Sequence, residues 1–206
     1  MIDQIQWLGH GSFIIQGSPL IYINPWRVAR SVFHADIVLI THNHYDHCSL
    51  ADIEKLRGPH TIVIGNEQVA NEIGDCMVIR PWQSLTVDRA CIKAVPAYSH
   101  DDWRHPRSDG GLGFVISINL YDIYYAGDTE LIPEMRQLKP DIAILPIDGN
   151  GTLTVSEATE AVRQMRPRWA IPSNWGSNGG ATRMDALAFK GQAGELTDVV
   201  ILPQST

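Results

Sequence analysis

The sequence predicts one mixed domain, α/β or α+β, and three observations predict it. Short apolar runs such as Ile37-Val38-Leu39-Ile40 stop at polar residues, as buried strands do where they open into loops. Ser/Thr-x-x-acid patterns at Ser49, Thr154 and Thr182 have the form of helix starts. Strand patterns dominate as far as Tyr125, and strands and helices alternate after Asp128.

The elements follow in order. Strands are expected over residues 5–8, 12–16, 20–24 and 37–40, separated by turns. A helix over 50–57 begins at Ser49-Leu50-Ala51-Asp52 and ends at Gly58-Pro59, a normal stop signal. Residues 61–64 read as a strand, and 67–73 as a helix between an Asn66 cap and Gly74. Alternation in 84–87 and 92–96 marks further strands. Beyond Asp128 come a helix over 132–138, a buried strand over 142–146 and a helix from Thr154 through Arg166. A strand over 169–172, a helix opened by Thr182-x-x-Asp185 and a strand over 199–202 close the chain.

The densest chemistry is Thr41-His42-Asn43-His44-Tyr45-Asp46-His47, directly behind the apolar run and ahead of the Ser49 helix start. A strand-to-helix turn is where α/β sheets usually place ligands. His42 and His44, two apart on an extended segment, can point the same way, while Asp46 and His47 follow after the chain has turned. Imidazole suits zinc, iron and other transition metals, and a carboxylate adds charge and a proton acceptor. Ionisable groups abutting a buried strand rarely serve packing alone, because burial without a partner is costly.

This H-x-H-x-D-H signature resembles that of the metallo-β-lactamase fold superfamily. The opening Trp7-Leu8-Gly9-His10-Gly11-Ser12-Phe13 resembles the first strand of the branch that contains ascorbate-6-phosphate lactonase and many uncharacterised metal-dependent hydrolases. Tyr22-Ile23-Asn24-Pro25, Val95-Pro96-Ala97-Tyr98, His105-Pro106, Gly110-Gly111-Leu112-Gly113-Phe114, Tyr125-Ala126-Gly127-Asp128-Thr129, Ile132-Pro133-Glu134-Met135 and Ala170-Ile171-Pro172 recur there in the same order. The resemblance runs from about Ile5 to Gly176 and implies a four-layer αββα sandwich. It also implies a divalent metal: zinc, with manganese or iron as alternatives.

By the same resemblance, His42, His44 and a third histidine hold a first metal, Asp128 bridges two metals, and His47 belongs to the second. The third histidine is expected to be His100, one residue beyond the Pro-Ala-aromatic strand end and Ser99, with His105 as the rival. Two departures stand out. Pro172-Ser173-Asn174-Trp175-Gly176 puts Asn174 where the branch has the histidine that completes the second site, and Asn24 stands where aspartate is usual. An amide oxygen is a poor zinc ligand, so one tight site and a weak second site are expected. His10 lies either near the pocket or as a buried histidine bonded to backbone. Cys48 reads as a small packed residue at the helix start.

Composition bounds the rest. The 206 residues suffice for one enzyme-sized domain with a substantial core, expected here to span the whole chain. A net charge of −7 argues against a nucleic-acid binder, which is normally basic. Cys48, Cys76 and Cys91 are odd in number and lack metal-knuckle spacing. Together with a non-secretory N-terminus they suggest a cytoplasmic protein. No apolar run is long enough to span a membrane. Nothing in the sequence sets the oligomeric state.

The expected function is hydrolysis of a small ester, lactone or phosphoester by metal-activated water, with Asp46 orienting that water or accepting its proton. Arg27, Arg30, Arg104 and Arg107 flank the motifs, and Trp26, Trp103 and Trp175 could wall a cleft, which suits an anionic small molecule. The alternative is a metal-binding domain with weak or no turnover, kept alive by Asn174 and Asn24. A nuclease is disfavoured by the charge, and ligand types alone leave an iron-dependent redox role open.

Overall fold

The computed structural model describes residues 1–29, 33–100, 103–176 and 180–205. Arg30 lies outside them. The first sheet is built from β1 (Ile5–Gly9), β2 (Ser12–Ile15), β3 (Ile21–Ile23), β4 (Ile37–Leu39), β5 (Ile62–Gly65) and β6 (Met77–Val78), in that order. Its first three strands are antiparallel and the rest run parallel from β3 onward. The second sheet contains β7 (Ser84–Val87), β8 (Ala90–Pro96), β9 (Leu112–Ile118), β10 (Tyr121–Tyr125), β11 (Ile142–Pro146), β12 (Trp169–Ser173) and β13 (Asp198–Val199). Here β7 to β10 are antiparallel and β10 to β13 parallel.

The period-2 rule separates the layers. Phe13, Ile15, Ile21, Ile23, Ile37 and Leu39 share a core with Ile92, Phe114 and Ile116 of the second sheet. Their alternates Ile14, Tyr22, Val38 and Val63 instead pack with Ile53 and Leu56 of α1 (Leu50–Leu56) and Val69 of α2 (Glu67–Ile73). On the far side, Ala143 and Leu145 of β11, on the opposite face, belong to the core with Ala158 and Val162 of α3 (Val155–Met165) and Phe189 of α4 (Arg183–Ala193). A strand buried on both faces must be apolar throughout, which is why the β4 run shows no alternation in its sequence. Two sheets face to face with helices outside each make the four-layer sandwich.

The helix caps act as their sequences predict at Thr154 and Thr182, where both halves of the capping box form. At α1 only half does. Ser49 accepts from Asp52 N, but the Asp52 carboxylate turns to accept from the backbone of Arg27 and Val28 instead. Two expected elements differ. Residues 132–138 form a 3-10 helix, Pro133–Gln137, with Pro133 at its start and Pro140 three residues beyond its end. The strand expected over 199–202 is only Asp198–Val199, since the chain then crosses to the first sheet, where Gln204 bridges to Trp7. No helix among the described residues is long and apolar enough to cross a membrane.

Candidate metal centre

The site forms where parallel strands of both sheets end. β4 stops because Asn24, just past β3, takes the next backbone donor: Thr41 N donates to Asn24 Oδ1 at 2.9 Å. The chain then turns tightly, with His47 N and Cys48 N both donating to His44 O, before Ser49 starts α1. From the second sheet, Asp128 follows β10 through Gly127. Only glycine fits there, since φ is +70° and an added Cβ would lie 2.5 Å from Leu112 O. Asn174 follows β12, and the His10-Gly11 turn joins β1 to β2.

These segments converge on one buried cluster. His42 Nε2 lies 3.0 Å from His44 Nδ1 and 3.8 Å from Asp128 Oδ2, and His105 Nε2 lies 3.3 Å from that same oxygen. The other Asp128 oxygen is 3.2 Å from His47 Nε2. Asp46 reaches His47 Nδ1 at 3.1 Å and His10 Nε2 at 3.2 Å. Three overlapping groups each bring their ligand atoms within 4.8 Å: His42-His44-His105, His42-His47-Asp128 and His10-Asp46-His47. Ligands at metal–nitrogen distances of 2.0–2.1 Å in a tetrahedron stand roughly 3.4 Å apart. The observed spacings bracket that value.

Burial and charge are tightly coupled here. Burial and neighbouring imidazoles lower His42 and His44. Burial also opposes charging His47, but Asp128 and Asp46 outweigh it and raise its pKa to about 10. Burial works against ionising Asp128 as well, yet His47 and His105 hold its carboxyl well below the usual range. Asp46 stays ionised against burial through His10 and His47.

His47 Nε2, His105 Nε2 and Asn174 Oδ1 are buried without a hydrogen-bond partner. The two imidazole nitrogens are close enough to Asp128 for charge attraction but misaligned for hydrogen bonds. Buried imidazole nitrogens without a hydrogen-bond partner beside a carboxylate suit a divalent ion, and the nitrogen and oxygen donors suit zinc or a neighbouring transition metal. An added Cβ on Gly11 would lie 2.8 Å from His47 Nε2 and 3.3 Å from Asn174 Oδ1, so only glycine leaves this space open.

A supporting layer holds the imidazoles. Thr41 Oγ1 lies 2.9 Å from His42 Nδ1, and Asn24 Nδ2 donates to Thr41 Oγ1 at 2.9 Å and to Tyr125 OH at 3.1 Å. Tyr125 in turn donates to Gly11 O at 2.7 Å, tying both sheets to the turn. His105 Nδ1 faces Gly151 O at 3.1 Å. Such contacts fix which ring nitrogen faces a metal.

The histidine expected at position 100 is not in the cluster. His100 is exposed, its ring beside Tyr98 and its Nε2 3.4 Å from Leu131 O. The loop folds back so that Ser99 N donates to His105 O, which carries His105 over the strand end in its place. Asn174 turns its amide toward the Asp128 carboxylate, with Nδ2 donating to Asp128 Oδ1 at 2.8 Å. Of the flanking residues, Arg27, Arg104, Trp26 and Trp103 line a cavity of about 460 Å³ above the cluster. Arg107 instead pairs with Glu134, and Trp175 stacks on Trp7 with ring centroids 4.3 Å apart. Tyr45 and Asp148 also line the cavity, a role that no sequence pattern marks. Burial raises the Asp148 carboxyl above its usual range. Cys48 packs with Val38 and Ile53, and burial pushes its thiol up to about 12.

Comparison with known proteins agrees with this geometry. A family model for the beta-lactamase superfamily domain matches residues 4–174. A UPF0173 metal-dependent hydrolase from Thermococcus onnurineus is 32% identical over 221 residues, covering 97% of this chain and 96% of that protein. The crystal structure of a protein named as a metal-dependent hydrolase from Parabacteroides distasonis aligns with a TM-score of 0.87 at 31% identity, covering 98% of this chain and 93% of that one. A metallo hydrolase from Ignicoccus hospitalis shares the fold, with a TM-score of 0.82 at 22% identity over 98% of this chain and 95% of that one. The chain belongs to the beta-lactamase superfamily. Within it, the chain stands with the metal-dependent hydrolases of the metallo-β-lactamase fold.

Proposed function

We propose that the protein is a zinc-dependent hydrolase of a small anionic ester, lactone or phosphoester. The observation that carries this reading is the convergence of His42, His44 and His105 with Asp128 beneath an open cavity of about 460 Å³, within the range of small-molecule sites. When bound, a divalent ion supplies Lewis acidity and lowers the pKa of water from 15.7 toward roughly 7. The residues supply the rest. Asp46, kept ionised, accepts a hydrogen bond from the attacking water and orients it toward the substrate. Arg27 and Arg104 at the cavity wall favour negative charge on the substrate, and Trp26 and Trp103 offer apolar faces. Three free cysteines fit a reducing, cytoplasmic setting.

The test is hydrolysis of nitrophenyl esters and phosphates and of simple lactones, with zinc and with chelator. Activity is expected to vanish on chelation, and Asp46→Asn to cost about 10²–10⁴-fold, as for loss of a positioned acid–base group. Activity that survives both changes refutes the mechanism. The Asn174 amide donating to Asp128 favours a second reading, a metal-binding domain without turnover. Tight zinc binding with no hydrolysis of any of these substrates selects it.

A further inference from the structure

Three aromatic side chains line the open cavity above the histidine cluster, and the fold leaves two of them largely in water. Tyr45 is 77% exposed and Trp103 85%, and Trp26 lines the cavity with them. A single exposed ring on a surface is ordinary, but three gathered at one opening form the kind of patch that meets a ligand.

The wall that carries Trp26 is anchored. Trp26 N donates to Ser12 Oγ at 3.0 Å, and Arg27 N donates to the Asp52 carboxylate at 2.8 Å. The Arg27 guanidinium covers Trp26 at 4.2 Å from the ring centroid, and Tyr45 meets Trp26 steeply inclined at 6.2 Å. Trp26 is therefore already engaged. Trp103 meets no other ring among the described residues, so its indole faces remain open. Its position is nonetheless tied to the cluster: the backbone bond from Ser99 N to His105 O closes the loop that carries it, two residues before His105. Arg104, between the two, lines the same cavity. The volume of about 460 Å³ is about three times the roughly 150 Å³ that encloses a benzene molecule, which leaves room for a planar ring and a charged group together.

We propose that Trp103, with Tyr45 beside the same opening, binds a planar aromatic ring carried by the substrate, so that the class recognised is an anionic ester, lactone or phosphoester bearing an aryl group. The proposal rests on the hydrolase reading above and narrows its substrate. The ring stacks on the open indole face, where aromatic pairs gain more than their buried area alone supplies. Arg27 and Arg104 face the negative charge of the same molecule.

Phenylphosphonate and methylphosphonate share a charged head and differ by the ring, and neither offers an ester bond to hydrolyse. Calorimetric titration of each into the zinc-loaded protein therefore reads the ring subsite apart from turnover. The wild type is expected to bind phenylphosphonate about tenfold more tightly than methylphosphonate. Trp103→Ala brings the two ligands to equal affinity, and Trp103→Phe keeps most of the preference. Equal affinity in the wild type overturns the proposal, and so does a preference that Trp103→Ala leaves unchanged. A preference that Trp103→Ala removes upholds the subsite whether or not nitrophenyl esters and lactones are hydrolysed, so the two readings fail separately. Binding of neither phosphonate overturns the anionic-substrate reading and this proposal together.

Discussion

Replacing His105 with alanine removes one of the three imidazoles of the His42-His44-His105 group, the proposed first metal position, while leaving the H-x-H-x-D-H turn intact. Structural zinc sites with four ligands bind with apparent free energies of about 10–16 kcal/mol, so one ligand represents about 2.5–4 kcal/mol. At 1.4 kcal/mol per tenfold, His105→Ala should weaken zinc by roughly 10²–10³-fold. The change also removes the His105 Nδ1 contact to Gly151 O, which keeps its hydrogen bond from Ser99 Oγ, so the metal-free fold should lose only about 0.5–1.5 kcal/mol. Competition against a chromophoric chelator gives the affinity, and thermal unfolding of the metal-free protein gives the stability. His100→Ala is the control. That residue is exposed and 3.4 Å from Leu131 O, so neither quantity should move measurably. Loss of zinc in His100→Ala with retention in His105→Ala would refute the assignment.

Two further expectations concern the supporting residues. Thr41→Val removes the hydroxyl 2.9 Å from His42 Nδ1 and should weaken first-site zinc about 10–100-fold, the usual range for a group behind a ligand; unchanged affinity in the same competition assay contradicts that role. Asp52 accepts from Arg27 N at 2.8 Å, Val28 N at 3.2 Å and Lys55 Nζ at 2.7 Å, so Asp52→Ala should cost about 1–3 kcal/mol in urea unfolding at pH 7. Burial opposes ionising Asp52, but Lys55 and Ser49 hold its folded pKa below the ordinary value. Its contribution is therefore complete above the unfolded pKa, about 3.9, and fades as pH falls through the folded one. A wild-type to Asp52→Ala stability gap that stays constant from pH 6 to pH 2 contradicts this linkage.

Most elements of the fold were legible because their signals are local. Helices α3 and α4 announce themselves through capping boxes in which both partners lie within four residues, and α1 and α2 through Ser49 and Asn66. What escaped depends on partners distant in sequence. Residues 132–138 carry helical composition, but the short stretch between Pro133 and Pro140 closes as a 3-10 helix. The last strand is cut short because the tail is drawn to Trp7 on the other sheet, a pairing across nearly the whole chain. The stacking of two sheets came through resemblance, since a strand buried on both faces looks the same whichever layer covers it.

At the site, His42, His44, Asp46 and His47 were legible because one turn presents them all. The third histidine was not, because a ring joins the cluster according to how its loop returns, and the Ser99–His105 backbone bond that returns it has no sequence signature. The two asparagines show why residue type alone is insufficient. By residue type both are the same loss, an amide where a charged or basic group is usual. Asn24 spends its oxygen on Thr41 N and its nitrogen on Thr41 Oγ1 and Tyr125 OH, so donors and acceptor are all engaged and the amide suits its place. Asn174 satisfies only its nitrogen, and its oxygen faces the same space as the orphaned His47 Nε2. A buried amide that is half satisfied is costly unless something completes it. The difference between the two lies in their surroundings, which residue type does not reveal.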